Sequence, residues 1–313
     1  MIGVVVRGSG LVLGEELPAA APVDGEALVE MEAACIAPLD LQIAAGVFPV
    51  LPPAPYVAGL DGAGRVVSGD LRGRRVWVRG AGVGTTRNGC AAEQAALPFA
   101  SLHELRDDVD AATAATFFVP CSTAHAALHD VGRLQPGERV GVRGASGSVG
   151  RVAVQLARAA GAAEVVGIVA SPERAASVPP GAQVVAAGSP VELRSELQGA
   201  DLDLLVDTVG GAGLAACLGA MRPRARIVLV GYAGGVRLEL DATEFLVHDV
   251  ALLPLNGLGR EPDTVLRAGE WLEAIVRGEL AVPTAAFPVA RAEEAIAAVG
   301  GSPSPGRVAI LFG

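Results

Sequence analysis

The chain has 313 residues and a formal charge of −10, from 24 basic and 34 acidic side chains. Every basic residue is Arg and none is Lys, which excludes a Schiff-base lysine, a pyridoxal-phosphate anchor, a Walker lysine and a Tyr/Lys reductase pair. The length suggests two domains, the 51% hydrophobic share supplies a sizeable core, and the acidic balance argues against a nucleic-acid surface.

The start, MIGVVVRGSG, lacks the basic and apolar regions of a signal peptide. Strand character follows at Ala27–Ala33, Gly64–Val67 and Arg74–Val78, so the first third is expected to be an antiparallel β-rich module. Two uncharged stretches interrupt it. Leu41–Leu60 is studded with prolines, and Ala111–His129 holds Pro120 and two histidines, so neither reads as a membrane span. A cytoplasmic protein with no membrane partner is expected. The segment Ala111–Leu128 reads as helical in places, with Pro120 breaking it.

From there strands and helices alternate. Strands are expected at Glu138–Arg143, Glu164–Val169, Leu202–Val206 and Arg226–Val230, with a helix at Ser148–Ala160 and a helix start at Pro172–Ser177. That alternation implies a doubly wound parallel sheet. Residues 262–279 read as one amphipathic helix and Ala290–Val299 as another, and Arg307–Phe312 closes the chain as a strand. The four cysteines, Cys35, Cys90, Cys121 and Cys217, are scattered without a CxxC, so neither a disulfide framework nor a structural zinc cluster is expected.

The strongest local signal is Gly144-Ala145-Ser146-Gly147-Ser148-Val149-Gly150, between a strand and a helix. Gly147 lets the backbone approach a pyrophosphate, Gly150 allows close helix–strand packing, and the helix N-terminus offers N–H groups to the anion. The first glycine of G-x-G-x-x-G is Ala145 here. Where a chain committed to NAD places Asp or Glu, at the end of the next strand, this one has Ala170. Ser171 and Arg174 are candidates for holding a 2′-phosphate, which favours NADPH over NADH. The competing reading makes Ser171 an N-cap with Pro172 at N1 and Glu173 on the dipole.

Taken together, several segments resemble the zinc-independent medium-chain dehydrogenase/reductases, the quinone oxidoreductase and enoyl reductase group. The segments are Ala37-Pro38-Leu39-Asp40 through Gly46-Val47-Phe48-Pro49, Gly59-Leu60-Asp61-Gly62-Ala63-Gly64, Gly89–Glu93, Thr123–Leu128, Gly144–Ala160, Asp203–Gly211 and Arg226–Gly231. The resemblance implies an α/β fold: a Rossmann NADP-binding domain at 119–259 and a β-rich GroES-like catalytic domain at 1–118 and 260–313. It also implies a homodimer.

Zinc-dependent relatives use a Cys and a His at the positions matching Ala37 and Leu60, and neither side chain here has a lone pair for zinc. The expected chemistry is therefore metal-free hydride delivery from NADPH to a small molecule: a quinone, an enone or an enoyl thioester. A natural-product tailoring enoyl reductase and a non-catalytic NADPH-binding protein are the alternatives. Relatives carry Asn where this chain has Ala37, and Tyr where it has Phe48, so the pocket, with Leu60 and His125, is expected to be dry. The resemblance makes Tyr232, Asp40 and Thr123 the catalytic candidates. It adds Val209, Gly231, Leu255, Asn256 and Arg307 to the cofactor set of Ala145, Ser146, Gly147, Ser148, Val149, Gly150, Ser171 and Arg174.

Overall fold

The computed structural model describes residues 1–14, 16–46, 51–52, 54–299, 301 and 306–313. Phe48 lies outside the described residues. The chain divides into two compact units, Met1–Phe118 with Ile275–Gly313, and Val119–Ala274.

The first unit runs β1 (Gly3–Arg7), β2 (Gly10–Gly14), β3 (Glu26–Ile36), α1 (Pro38–Ala44), β4 (Tyr56–Val57), β5 (Gly62–Val66), β6 (Arg75–Val78), β7 (Gln94–Pro98), β8 (Leu102–Glu104) and α2 (Ala111–Thr116). Helix α3 (Phe118–His125) leads into the second unit. There β9 (Arg139–Arg143), α4 (Ser148–Ala159), β10 (Glu164–Val169), β11 (Gln183–Ala186), α5 (Pro190–Glu196) and β12 (Leu202–Asp207) follow. They continue as α6 (Gly213–Ala216), β13 (Met221–Leu229), α7 (Ala242–His248), β14 (Ala251–Pro254), α8 (Glu261–Val265) and α9 (Ala268–Val276). β15 (Thr284–Pro288), α10 (Ala292–Val299) and β16 (Arg307–Leu311) complete the first unit.

In the first unit β1 pairs antiparallel with β2 and β4, and a larger sheet has the order β15-β16-β3-β5-β6-β8, with β7 also on β3. β3 carries that sheet. Its Ala27, Val29, Met31 and Ala33 recur at every second position and are all buried, as a strand with one face on a core requires. Trp77 on β6 stacks on His103 with ring centroids 4.2 Å apart and meets Phe118 at 5.1 Å.

In the second unit the described strands form one wholly parallel sheet of order β11-β10-β9-β12-β13-β14. Read in order of appearance this is 3-2-1-4-5-6, so the winding reverses between β9 and β12. A crevice opens at the carboxyl ends of strands at such a switch point. The core beneath it holds Ile168, Leu202, Leu205, Leu214, Leu218 and Ile227. Burial of each such side chain contributes about 1.5–3 kcal/mol.

Three local expectations need correction. Pro120 does not break the helical segment. The interruption falls at Phe117, and Pro120 sits in the first turn of α3, where its missing N–H is not needed. Residues 262–279 form two helices rather than one, because Thr264 Oγ1 bonds back to the Arg260 and Glu261 carbonyls and the Arg267 N–H bonds the Thr264 carbonyl. Pro172–Ser177 is a 3₁₀ turn, closed by Arg174 N–H to the Ser171 carbonyl at 3.1 Å. No helix among the described residues is long and apolar enough to cross a membrane.

Candidate functional site

The phosphate-turn candidates Ala145–Gly150 lie between β9 and α4. Gly147 is the N-cap of α4 and supplies no side-chain acceptor, whereas α2, α5 and α7 are capped by Asp110, Ser189 and Asp241. The first-turn N–H groups of α4 therefore face outward with the positive end of the helix dipole, and an anion is the cap that fits them. A Cβ on Gly150 would stand 2.8 Å from Ala145 Cα and overlap the Gly144 carbonyl oxygen. A Cβ on Gly147 would meet only the Gly144 oxygen, at 3.3 Å, among the described residues. The glycine at 150 seats the helix on its turn, and the one at 147 keeps an open cradle. These residues fit a dinucleotide's pyrophosphate.

At the end of β10, Ala170 is exposed and Ser171 begins the 3₁₀ turn. The Ser171 hydroxyl hydrogen-bonds the Glu173 carboxylate, which holds that carboxyl below its usual range. Arg174 is half-buried in the same turn. Neither Ser171 nor Glu173 is drawn into a core, so both stand with Arg174 on the surface beside the phosphate turn's strand neighbour.

The carboxyl ends of β12 and β13 meet. Asp207, with no exposed surface, accepts the Val209 N–H at 2.8 Å and the Gly210 N–H at 3.1 Å. A Cβ on Gly231 would be 2.6 Å from the Thr208 carbonyl oxygen, so the loop bearing Gly231 and Tyr232 lies against the loop bearing Val209. Tyr232 is 46% exposed. After β14, the Leu255 N–H bonds the Leu229 carbonyl at 3.0 Å, and Asn256 Oδ1 accepts the Gly259 N–H at 3.2 Å. A Cβ on Gly257 would lie 3.8 Å from Thr123 Oγ1. The second unit thus gathers Thr123, Val209, Gly231, Tyr232, Leu255 and Asn256 around the ends of neighbouring strands.

The His125 ring lies tilted against His129, with centroids 4.7 Å apart, and against Trp271 at 5.8 Å. Burial, with the Arg267 guanidinium and His129 nearby, pushes its pKa down to about 4. It is a neutral imidazole at physiological pH. The residues after it, Ala126–Val131, form a π-helical turn.

In the first unit the candidates lie around Asp40 and Arg307. Asp40 Oδ2 accepts the Ala37 N–H at 2.8 Å and Oδ1 accepts the Gly59 N–H at 3.2 Å, so both oxygens tie the start of α1 to the Gly59 turn. Burial outweighs those bonds and pushes the Asp40 pKa up to about 6. Ala37 and Leu60 are buried beside this link. Arg307, 5% exposed, has Nη2 3.5 Å from Asp61 Oδ2, while Arg79 holds the other Asp61 oxygen at 3.1 Å. Arg307 therefore lies inside its own unit's charge network.

Zinc does not fit the matching positions of this chain. Ala37 and Leu60 offer it no ligand atom, and no group of three His, Cys, Asp or Glu among the described residues is arranged to hold a metal.

Arg143 and Asp207 are the pair that sequence reasoning missed. They are register partners on β9 and β12 at the switch point, with Arg143 Nη1 3.0 Å from Asp207 Oδ2. The available signal was opposite charge at or just after the end of two expected strands, Arg143 closing one and Asp207 following the other.

A doubly wound sheet with an open phosphate turn, joined to a β-rich unit, defines a dinucleotide-fold protein of the dehydrogenase type. The alcohol dehydrogenase GroES-like domain model matches residues 23–107 and the zinc-binding dehydrogenase model matches residues 148–272. The chain belongs to the medium-chain dehydrogenase/reductase family. Prostaglandin reductase-3 of Bos taurus is 27% identical over 234 residues, covering 71% of this chain and 59% of that protein. Quinone oxidoreductase of Lama guanicoe is 28% identical over 236 residues, covering 70% and 68%. The chain thus matches less than two thirds of the bovine protein's length. Among solved structures, the quinone oxidoreductase from Thermus thermophilus, described also in its complex with NADPH, is 28% identical over 100% of both chains, with a TM-score of 0.79.

Proposed function

We propose that the protein is a cytoplasmic, homodimeric oxidoreductase that uses NADPH to reduce a quinone or an α,β-unsaturated carbonyl without a metal. The observation that carries this reading is the open cradle at α4, where an uncapped helix N-terminus meets Gly147 and a helix seated by Gly150. The similarity to quinone oxidoreductases and a prostaglandin reductase supports the substrate class.

In this reading the N–H groups opening α4 bind the pyrophosphate. Ser171 and Arg174 hold the 2′-phosphate, Arg as a planar donor fork. When bound, the dinucleotide supplies the hydride. Ala37 and Leu60 offer no ligand atom for a Lewis acid, so the acceptor must delocalise its own incoming charge, as a carbonyl conjugated to the reacting C=C does. Asp40 acts by position, because two backbone N–H groups occupy its oxygens. The Tyr232 hydroxyl, next to the Gly231 loop, is the candidate proton donor, with Thr123 beside the Asn256–Gly257 loop as a polar contact.

The same commitment of Asp40 favours a second reading, a binding protein that keeps the dinucleotide but turns over nothing. NADPH oxidation measured with 1,4-quinones and enones, after dialysis against a chelator, separates the two. Sustained turnover is expected. Loss of turnover that zinc restores overturns the metal-free reading, and tight NADPH binding with no turnover establishes the binding protein. Arg174→Ala is expected to raise the NADPH dissociation constant at least tenfold more than the NADH constant, the worth of about one charge-assisted hydrogen bond. An equal change for both nucleotides refutes the 2′-phosphate assignment.

A further inference from the structure

Arg143 ends β9, one residue before the phosphate turn, and its side chain leans across the switch point onto β12. Its Nη1 is fully used: it donates to both Asp207 oxygens, at 3.3 and 3.0 Å, and to the Gly210 carbonyl at 2.8 Å. Asp207 is fully used as well, since it also accepts the Val209 and Gly210 N–H groups. The two ends of the pair differ in access. The Asp207 side chain has no exposed surface, while the Arg143 side chain as a whole keeps 11%. Arg143 Nε and Nη2 donate to no partner among the described residues. The space around Nη2 is kept by Gly213, where a Cβ would overlap that nitrogen.

This is an unusual use of a buried ion pair. Stability alone does not call for it, because a buried pair is often matched by well-packed apolar residues. What it achieves is a guanidinium held through Nη1, with its other edge, Nε and Nη2, lying beside Gly213 at the carboxyl side of the sheet. That edge stands between two features already described: the cradle at α4 on one side, and the Gly231–Tyr232 and Leu255–Asn256 loops on the other. A dinucleotide whose pyrophosphate sits in the cradle, and whose nicotinamide end lies toward those loops, must cross the ends of β9 and β12 between them.

We propose that Arg143 is a cofactor-binding residue, its second edge donating to the phosphate of the nicotinamide mononucleotide half of the dinucleotide. Because Asp207 already balances its charge, the contact is read by hydrogen-bond geometry rather than by net attraction. Asp207 is a positioning residue that fixes the guanidinium and, through Val209 and Gly210, the neighbouring glycine loop.

The inference rests on the dinucleotide reading, and the test keeps the two apart. Wild type, Arg143→Met and Arg143→Lys are titrated with NADPH and with the adenosine-side fragments 2′,5′-ADP and AMP, which lack the nicotinamide half. Binding is followed by calorimetry and folding by thermal melting. Arg143→Met is expected to raise the NADPH dissociation constant about tenfold or more, while fragment binding stays within about twofold. Arg143→Lys keeps a cation against Asp207 but has no second planar edge, so it is expected to show the same selective loss in a folded protein. Equal weakening of NADPH and the fragments makes Arg143 a structural support of the turn and overturns the proposal. Unchanged NADPH affinity in folded Arg143→Lys overturns it too. Failure of the wild type to bind NADPH removes the reading beneath it.

Discussion

Gly147 and Gly150 are three residues apart and alike in composition, yet the structure gives them opposite tasks, so their alanine variants should fail in opposite ways. At Gly150 the new methyl would sit 2.8 Å from Ala145 Cα and would overlap the Gly144 carbonyl oxygen. Carbon atoms settle at about 3.5–4.0 Å, and both obstacles are backbone, so the first turn of α4 must move by most of an ångström. Overpacking of that kind costs about 1–3 kcal/mol, which for a unit of this size lowers Tm by roughly 3–10 °C. At Gly147 the methyl meets only the Gly144 oxygen, at 3.3 Å, and the backbone there is extended, with φ −79° and ψ 168°. Gly147→Ala should melt within about 2 °C of wild type. Its methyl nevertheless occupies the cradle, so its NADPH dissociation constant should rise at least tenfold by calorimetry, a displacement worth about 1.4 kcal/mol or more. The reasoning fails if Gly150→Ala melts like wild type, or if Gly147→Ala binds NADPH with unchanged affinity.

Two pH experiments test the electrostatics. The Asp40 pKa, about 6 in the fold against 3.8 ordinarily, means that ionisation is disfavoured in the native state, so its contribution is complete below pH 3.8 and is lost as pH rises through 6. Urea unfolding of wild type and Asp40→Asn at pH 4 and pH 7.5 should therefore show the gap between them shifting against wild type by up to about 3 kcal/mol at the higher pH; a gap independent of pH rejects the buried-carboxyl description. His125, depressed to about 4 from 6.5, contributes stability that is present above pH 6.5 and lost as pH falls through 4. Its ring proton resonances should stay at neutral positions down to about pH 5, and a midpoint near 6.5 would contradict the packing against His129 and Trp271.

The parts of the fold that were legible in the sequence are those set by local periodicity. Glu164–Val169 reads as a buried parallel strand because it is an unbroken apolar run after its first residue, and it is one. The turn into α4 was legible because small residues between a strand and a helix have few other uses. What escaped depends on distant partners. β4 is two residues long and exists only because Val6 and Val5 pair with Tyr56 and Val57. The π turn at Ala126–Val131 follows no apolar rhythm; its one trace is Gly132, where a Cβ would overlap the Ala127 carbonyl oxygen. Arg307, placed in the cofactor set by the family resemblance, stands next to Asp61 across 246 positions of chain, a pairing no window of sequence displays. The Arg143–Asp207 pair spans 64 positions and was hidden for the same reason.

The four cysteines, noted first for their spacing, bear on how the chain survives its proposed substrates. Quinones and enones are soft electrophiles that alkylate thiolates and amines. All four thiols are buried, and burial pushes Cys35 and Cys217 up to about 12 and Cys90 well above its usual value. With no lysine in the sequence, the side-chain amines that would be the next target are missing as well. If its substrates are the Michael acceptors proposed above, the molecule presents them with no exposed thiol and no lysine amine to attack, which favours reduction over a covalent adduct.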